Sequence, residues 1–318
     1  MRSRVIGCGH YLPKKIIKND DFDASLDTSD EWIRQRTGIE QRFIAEEGEV
    51  TSDLGAKASL EAIKQAGLKA EDIDLIICAT STPDVTFPAT AIHIQNKLGI
   101  KSAAAFDIQA VCSGFVYALA VADNFLSLGQ HRRALVVGAE TLSRIMDWSD
   151  RSTCVLFGDG AGALVLEACE EEDTGVLKTK IYADGCSSSL LYVDGGVSST
   201  GTSGYIKMNG RDVFKHAVDK MGQVLEEVTT EAGYSLSDLD WIVPHQANKR
   251  IMKAIADRYN LDFDKVIVDI DKHANTSAAT IPLAIYGAIK AGKIKKGDLV
   301  GITALGAGLT WGGALLRW

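Results

Sequence analysis

The chain has 318 residues, 46% hydrophobic and 24% charged, enough for two ordinary domains or one large fold with internal symmetry. A formal net charge of −8 argues against general nucleic-acid binding, which needs a basic footprint. No apolar run reaches membrane-spanning length, and the apolar core of "MRSRVIGCGHYLP" is too short for a secretory signal, so the expected address is the cytoplasm, with no membrane partner.

Residues 61–80, "EAIKQAGLKAEDIDLIICAT", read as a helix, a glycine stop, a short loop and an apolar strand. The apolar stretch 103–108 leads into "AVCSGF" (110–115) and a segment that reads as a helix, "VYALAVADNFLSLG". Helix, glycine, loop and strand return near 226–246, "EEVTTEAGYSLSDLDWIVPHQ". Ala66-Gly67 stands 166 residues before Ala232-Gly233, as Asp72 does before Asp238 and Asp74 before Asp240. Three further landmarks follow in the same order: "AFDIQAVCSG" against "IVDIDKHANTS", "RALVVGAE" against "GDLVGITA", and "AGALVL" against "GGALLR". Two related halves are therefore expected, 1–170 and 171–318, each alternating strands and amphipathic helices as mixed α/β sheets do. Duplicated halves pack about a pseudo-two-fold axis and commonly form a site at the seam. The loop carrying Cys112 is then expected to face the loop carrying His273, Ala274 and Asn275.

The six cysteines are dispersed, with no CxxC pair and no metal-ligand spacing, so reduced thiols and no metal are expected. Five read as buried filler. Cys112 differs, because Ser113 and Gly114 permit a tight strand-to-helix turn that presents a nucleophile at a helix N-terminus, where the dipole favours thiolate. "PHQAN" (244–248) supplies His245 after a buried strand, and "HANTS" (273–277) supplies Asn275. His10, His93, His131 and His216 read as ordinary core or surface groups, and His273 as support for its loop.

With "DTSDEWIRQRTGIEQR" (27–42), "FGDGAGA" (157–163), "HANTSAAT" and "GAGLTWGGALLRW" (306–318) added, the chain resembles β-ketoacyl-acyl-carrier-protein synthase III over essentially its whole length. That family belongs to the thiolase superfamily of condensing enzymes. The resemblance implies a thiolase-like α/β fold, a five-layered αβαβα sandwich of two duplicated halves, and a homodimer. It implies the initiating step of dissociated fatty-acid synthesis, a decarboxylative Claisen condensation of acetyl-CoA or another short acyl-CoA with malonyl-acyl carrier protein. No cofactor is implied, since the CoA thioester is a substrate.

At matching positions Cys112 carries the acyl group, the backbone N–H groups of Cys112 and Ala307 bind the oxyanion, and His245 and Asn275 are neutral donors to the enolate oxygen. Asn275 cannot act as a base, so the carbanion must come from decarboxylation. Thr28, Trp32, Arg36, Arg151, Asn209, Gly210, Phe214, Ala247 and Asn248 match CoA-binding positions. Trp32 also reads as core packing, and Thr28 as half of a capping box with Glu31. Phe87, reaching across the dimer, with Leu156, Phe157 and Leu190 matches the acyl pocket, whose aromatic closure favours acetyl. Lys215, Lys249, Arg250, Lys253 and Arg258 form a basic patch suited to acidic acyl carrier protein. On this reading Arg250→Glu is expected to weaken use of the malonyl carrier and spare Cys112 acylation.

The nearest rival is a related synthase loading longer, branched or specialised primers. An HMG-CoA synthase would want a glutamate acid/base that the motif loops do not obviously supply. A cysteine thioesterase or acyltransferase and a non-catalytic CoA-binding module stand further off, separated by CO2 release from malonyl carrier protein and by mass shift at Cys112.

Overall fold

Strands and helices alternate from end to end in the computed structural model, which describes residues 1–22 and 24–318. The first seven strands are β1 (Arg2–Tyr11), β2 (Lys15–Lys18), β3 (Gln41–Ile44), β4 (Leu75–Ala79), β5 (Ala104–Ile108), β6 (Arg133–Thr141) and β7 (Asp159–Cys169). There follow β8 (Gly175–Ala183), β9 (Leu191–Val193), β10 (Ile206–Met208), β11 (Trp241–Pro244), β12 (Leu299–Gly306) and β13 (Thr310–Arg317). The helices are α1 (Asp30–Thr37), α2 (Thr51–Gln65), α3 (Thr90–Lys97), α4 (Gly114–Ser127), α5 (Gly210–Glu231), α6 (Lys249–Arg258), α7 (Ile270–His273) and α8 (Thr280–Lys290).

Two sheets carry the fold. The first has the order β1-β7-β6-β4-β5 and the second β8-β13-β12-β11. Both begin with two antiparallel pairings and then turn parallel, β6 with β4 as β12 with β11. An isolated parallel bridge, Ile242 with Val266, stands where β5 would have its counterpart. The topology thus repeats, one sheet running from Arg2 to Cys169 and the other from Gly175 to Arg317.

The layers follow from which helix faces are apolar. α4 ("GFVYALAVADNFLS") and α8 ("TIPLAIYGAIK") are apolar nearly all round and lie between the sheets. Phe115, Leu119 and Leu126 from α4 and Ile281 and Ile285 from α8 are fully buried there, each contributing about 1.5–3 kcal/mol of transfer free energy. α2 and α3 cover the far face of the first sheet, and α5 covers the far face of the second, with α6 packed on it. The result is five layers, αβαβα. Small residues set the α2 spacing, since a Cβ on Gly9 of β1 would come within 2.2 Å of the Ala58 carbonyl oxygen.

Among the described residues no helix is long and apolar enough to cross a membrane, and no group of three His, Cys, Asp or Glu side chains is placed to hold a metal ion. The loops leaving the carboxyl ends of β4, β5, β6, β11 and β12 carry Ser81, Cys112, Leu142, His245 and Ala307. In parallel α/β sheets this is the edge where ligands bind.

Candidate active site

Cys112 sits in a single 3-10 turn, Val111–Ser113, wedged between the end of β5 and the start of α4. Val111 has φ of 47°, a left-handed conformation that a β-branched residue rarely adopts and that stores strain at the turn. Hydroxyls hold the turn down. Ser113 Oγ and Thr310 Oγ1 are 2.8 Å apart, and Thr310 Oγ1 lies within donating distance of the carbonyls of Ala110 (3.0 Å) and Ala307 (2.9 Å). The loop after β12 can approach only because residue 306 is glycine, where a Cβ would sit 2.7 Å from the Cys112 nitrogen.

His245 follows β11, its backbone N–H donating to the Thr303 carbonyl (2.8 Å). Its ring is 2% exposed, and Nδ1 lies 2.6 Å from the hydroxyl of Thr280. Gln246 staples this loop to the next. Its Nε2 donates to the carbonyls of Pro244 (2.7 Å) and Ile267 (3.1 Å), while its Oε1 accepts from the Asp269 amide (2.8 Å). Beyond α7, Asn275 is pinned through its backbone to Leu156 and Gly158. Its side-chain oxygen accepts from the Ser277 amide at 2.8 Å. His273 lies 3.1 Å from the Asp269 carboxylate through Nε2, so it braces the loop.

Burial dominates the electrostatics. It pushes the Cys112 thiol up to about 12, and hydrogen bonds from Ser277 and Asn275 pull the other way, while the charge of Glu140 adds to the rise. Ser277 Oγ is buried and, among the described residues, has no other partner at ordinary hydrogen-bond geometry, so it can turn to the sulfur. The same burial lowers the pKa of His245 to about 3, leaving its imidazole neutral. Glu140, at the end of β6, is fully buried and its carboxyl is raised by that burial, against hydrogen bonds from Thr82 (2.6 Å) and Ser81 (2.8 Å).

Two cavities serve this centre. The inner one, about 950 Å³, is lined by Cys112, Ser277 and Ala307 and by Leu142, Ile145, Phe157, Leu191, Val193 and Ile206. The outer one, about 550 Å³, is lined by Trp32, Arg36, Arg151, Gly210, Phe214 and Asn248, and also by Leu156, Arg211, Lys215 and Arg250. The guanidinium groups of Arg36 and Arg151 lie 4.8 and 5.4 Å from the centre of the Trp32 ring. Arg151 is also held by Asp27 at 2.9 Å.

Several residues lie elsewhere than the sequence led one to expect. Ser29, not Thr28, caps α1 by accepting from the Trp32 amide (3.1 Å), and the Thr28 hydroxyl is buried without a partner among the described residues. Asn209 caps α5, and neither it nor Thr28 nor Ala247 lines the outer cavity. Leu156 faces that cavity instead of the acyl side, because neighbouring residues in the 156–158 segment point opposite ways and Phe157 takes the inner face. Leu190 packs instead against the cluster that Ala217, Val218 and Met221 of α5 form with Ile251, Ile255, Leu305 and Leu309. By contrast, Phe87, expected to reach toward a second copy, is 83% exposed in its own chain. Of the basic patch, Lys215, Lys253 and Arg258 pair with Asp212, Asp257 and Asp219, whereas Lys249 and Arg250 have no ion-pair partner among the described residues. Gln246, Ser277, Thr280 and Glu140 were not singled out from sequence. A Ser, Thr or Gln beside a motif residue has no signal of its own there.

Comparison with known proteins supplies the family. Residues 106–185 match the 3-oxoacyl-[acyl-carrier-protein (ACP)] synthase III family, and residues 229–318 match its C-terminal domain. The β-ketoacyl-[acyl-carrier-protein] synthase III of Agrobacterium fabrum is 57% identical over the full length of both chains. The crystal structure of 3-oxoacyl-[acyl-carrier-protein] synthase III from Aquifex aeolicus superposes with a TM-score of 0.95 at 48% identity, over 99% of this chain and 100% of that one. The corresponding enzyme of Pseudomonas aeruginosa superposes equally well, with a TM-score of 0.95 at 42% identity, over 100% and 98% of the two chains. The repeated five-layered topology and full-length identity agree, and the chain belongs to the 3-oxoacyl-[acyl-carrier-protein] synthase III family, with the thiolase fold of its structural neighbours.

Proposed function

We propose that this initiating condensing enzyme of fatty-acid synthesis works through Cys112, His245 and Asn275 in two half-reactions. In the first, the Cys112 sulfur attacks the carbonyl of a short acyl-CoA, the bond to the CoA sulfur breaks, and the thiol proton ends on CoA. The tetrahedral oxyanion is held by the N–H groups of Cys112 and Ala307, both on the wall of one cavity. In the second, malonyl carrier protein loses CO2 and the bonding pair moves onto its thioester oxygen. His245 and Asn275 donate to that oxygen, and the enolate carbon then attacks the Cys112 acyl group, breaking its bond to sulfur, to give 3-oxoacyl carrier protein and a Cys112 thiolate that takes up a proton from water.

The observation that carries this reading is the Asn275 amide. Its oxygen is taken by Ser277, so its NH2 is the end left for the sulfur and for the oxygen where charge develops. The outer cavity is the natural seat of the CoA nucleotide, with an adenine stacked on Trp32 in place of one guanidinium and phosphates on Arg211, Lys215 and Arg250. The proposed homodimer is supported by Phe87, an exposed aromatic on the loop whose neighbours Val85 and Thr86 line the inner cavity. Inserted from a second copy, it shortens the acyl space and favours acetyl. The cytoplasm is the proposed address. A primer of longer or specialised type is not favoured, since the full-length relatives at 55–57% identity carry the synthase III name.

The test is a panel of acyl-CoAs read by mass shift at Cys112, followed by CO2 release on adding malonyl carrier protein. Acylation with release of free acid and no CO2 would replace condensation by hydrolysis, and absence of any shift would remove Cys112 as nucleophile.

A further inference from the structure

We propose that Thr280 is a positioning residue that sets the tautomer of His245, making its Nε2 the ring nitrogen that donates to the substrate oxygen; this rests on the donor role given to His245 above. A neutral imidazole has one N–H and one lone pair, and the partner at one nitrogen decides which the other presents. At Nδ1 the recorded partner is Thr280 Oγ1, 2.6 Å away, and both side chains are buried.

The hydroxyl has one proton and two acceptors within reach, His245 Nδ1 and the Ser277 carbonyl at 3.0 Å. With the proton on the carbonyl, Oγ1 accepts from Nδ1–H, and Nε2 points a lone pair at the substrate, which repels an enolate oxygen. With the proton turned to Nδ1, Nε2 carries the hydrogen. The shorter contact is the one to the ring, and the second half-reaction needs the donor. A histidine whose burial keeps it neutral cannot satisfy both nitrogens by becoming an imidazolium, so the choice falls to Thr280.

Nor is the hydroxyl spent on capping. Thr280 is the first residue of α8, one place after the cap position, which Ala279 occupies with no side-chain cap bond. Valine has nearly the same shape and lacks only the proton, so the residue type matters to the ring more than to the packing.

Neutron crystallography of the wild-type protein near neutral pD reads the arrangement directly. The expected result is a deuteron on His245 Nε2 and the Thr280 hydroxyl deuteron aimed at Nδ1, and a deuteron on Nδ1 overturns the proposal. In solution, Thr280→Val is expected to slow CO2 release from malonyl carrier protein roughly tenfold. Cys112 acylation by acyl-CoA, read by intact mass, stays within about twofold of wild type, and Thr280→Ser restores CO2 release. Equal loss of both steps, or Thr280→Ser no better than Thr280→Val, assigns the residue to packing alone and overturns it. His245→Ala separates the two levels. If that variant keeps its decarboxylation rate, the donor role of His245 fails, whatever Thr280 does.

Discussion

The Ser277 amide donates to Asn275 Oδ1 at 2.8 Å, and this one bond turns the Asn275 NH2 toward the Cys112 sulfur. Ser277 holds it from a left-handed backbone (φ 49°), the same conformation that Val111 adopts on the turn before Cys112. The two loops that meet at the site are thus bent by the same device.

Asn275→Asp keeps the shape and replaces the donor by a carboxylate facing developing negative charge. Decarboxylation of malonyl carrier protein is expected to fall by about 10²–10³, the usual cost of one such donor. Acyl-CoA should still label Cys112, as intact mass will show.

The pH dependence follows from His245. Its pKa in the folded protein lies near 3, below the ordinary 6.5, so on acidification the unfolded chain takes up this proton first. Stability from this group is therefore fully present above about pH 6.5 and drains away as the pH falls toward 3. Thermal unfolding of His245→Asn should show a shallower loss of Tm over that window than wild type. The condensation rate should show no inflection from His245 between pH 5 and 9.

The charge of Glu140 opposes ionisation of the Cys112 thiol. Glu140→Gln is expected to move the midpoint of Cys112 alkylation by iodoacetamide to lower pH. An unmoved midpoint would mean that the carboxyl is already protonated at rest. The buried donors on Ser81 and Thr82 lose an ideal acceptor, at a cost of about 1–3 kcal/mol visible in urea melts.

Gly306→Ala drives a methyl to 2.7 Å from the Cys112 nitrogen and 2.8 Å from the Ala110 carbonyl oxygen. Both are backbone atoms, so the turn itself must shift. A loss of about 1–3 kcal/mol and of most Cys112 acylation is expected, measured by thermal melt and mass shift.

The basic patch proposed for the carrier splits into paired and unpaired charges. Lys249 and Arg250 occupy the first turn of α6, where positive charge opposes the helix dipole and the turn itself holds no acidic residue. Arg250 also lines the outer cavity. Arg250→Glu is therefore expected to slow both acylation by acyl-CoA and use of the malonyl carrier, unlike the selective effect expected from sequence alone. Lys249→Glu should raise KM for the carrier and spare acylation.

Much of this was legible in one chain of letters. "AVCSGF", "PHQAN" and "HANTS" are short motifs whose residue types carry their chemistry, and the repeat of helix, Gly67 or Gly233, loop and strand encodes the two sheets. Local pattern determines such features, because helix stops, strand hydrophobicity and a cysteine before Ser-Gly are properties of neighbours in sequence. What only the tertiary structure decided involves partners far apart in the chain. His245 meets Thr280, Cys112 comes under Glu140 and Ser277, Leu156 turns to the outer cavity while Phe157 takes the inner one, and Arg250 joins the outer cavity. The identity of Thr280 or Glu140 says nothing of a hydroxyl 2.6 Å from an imidazole or a carboxyl buried behind a thiol. Those distances exist only once two sheets close on α4 and α8, and the burial that closure imposes sets the proton affinities of Cys112 and His245.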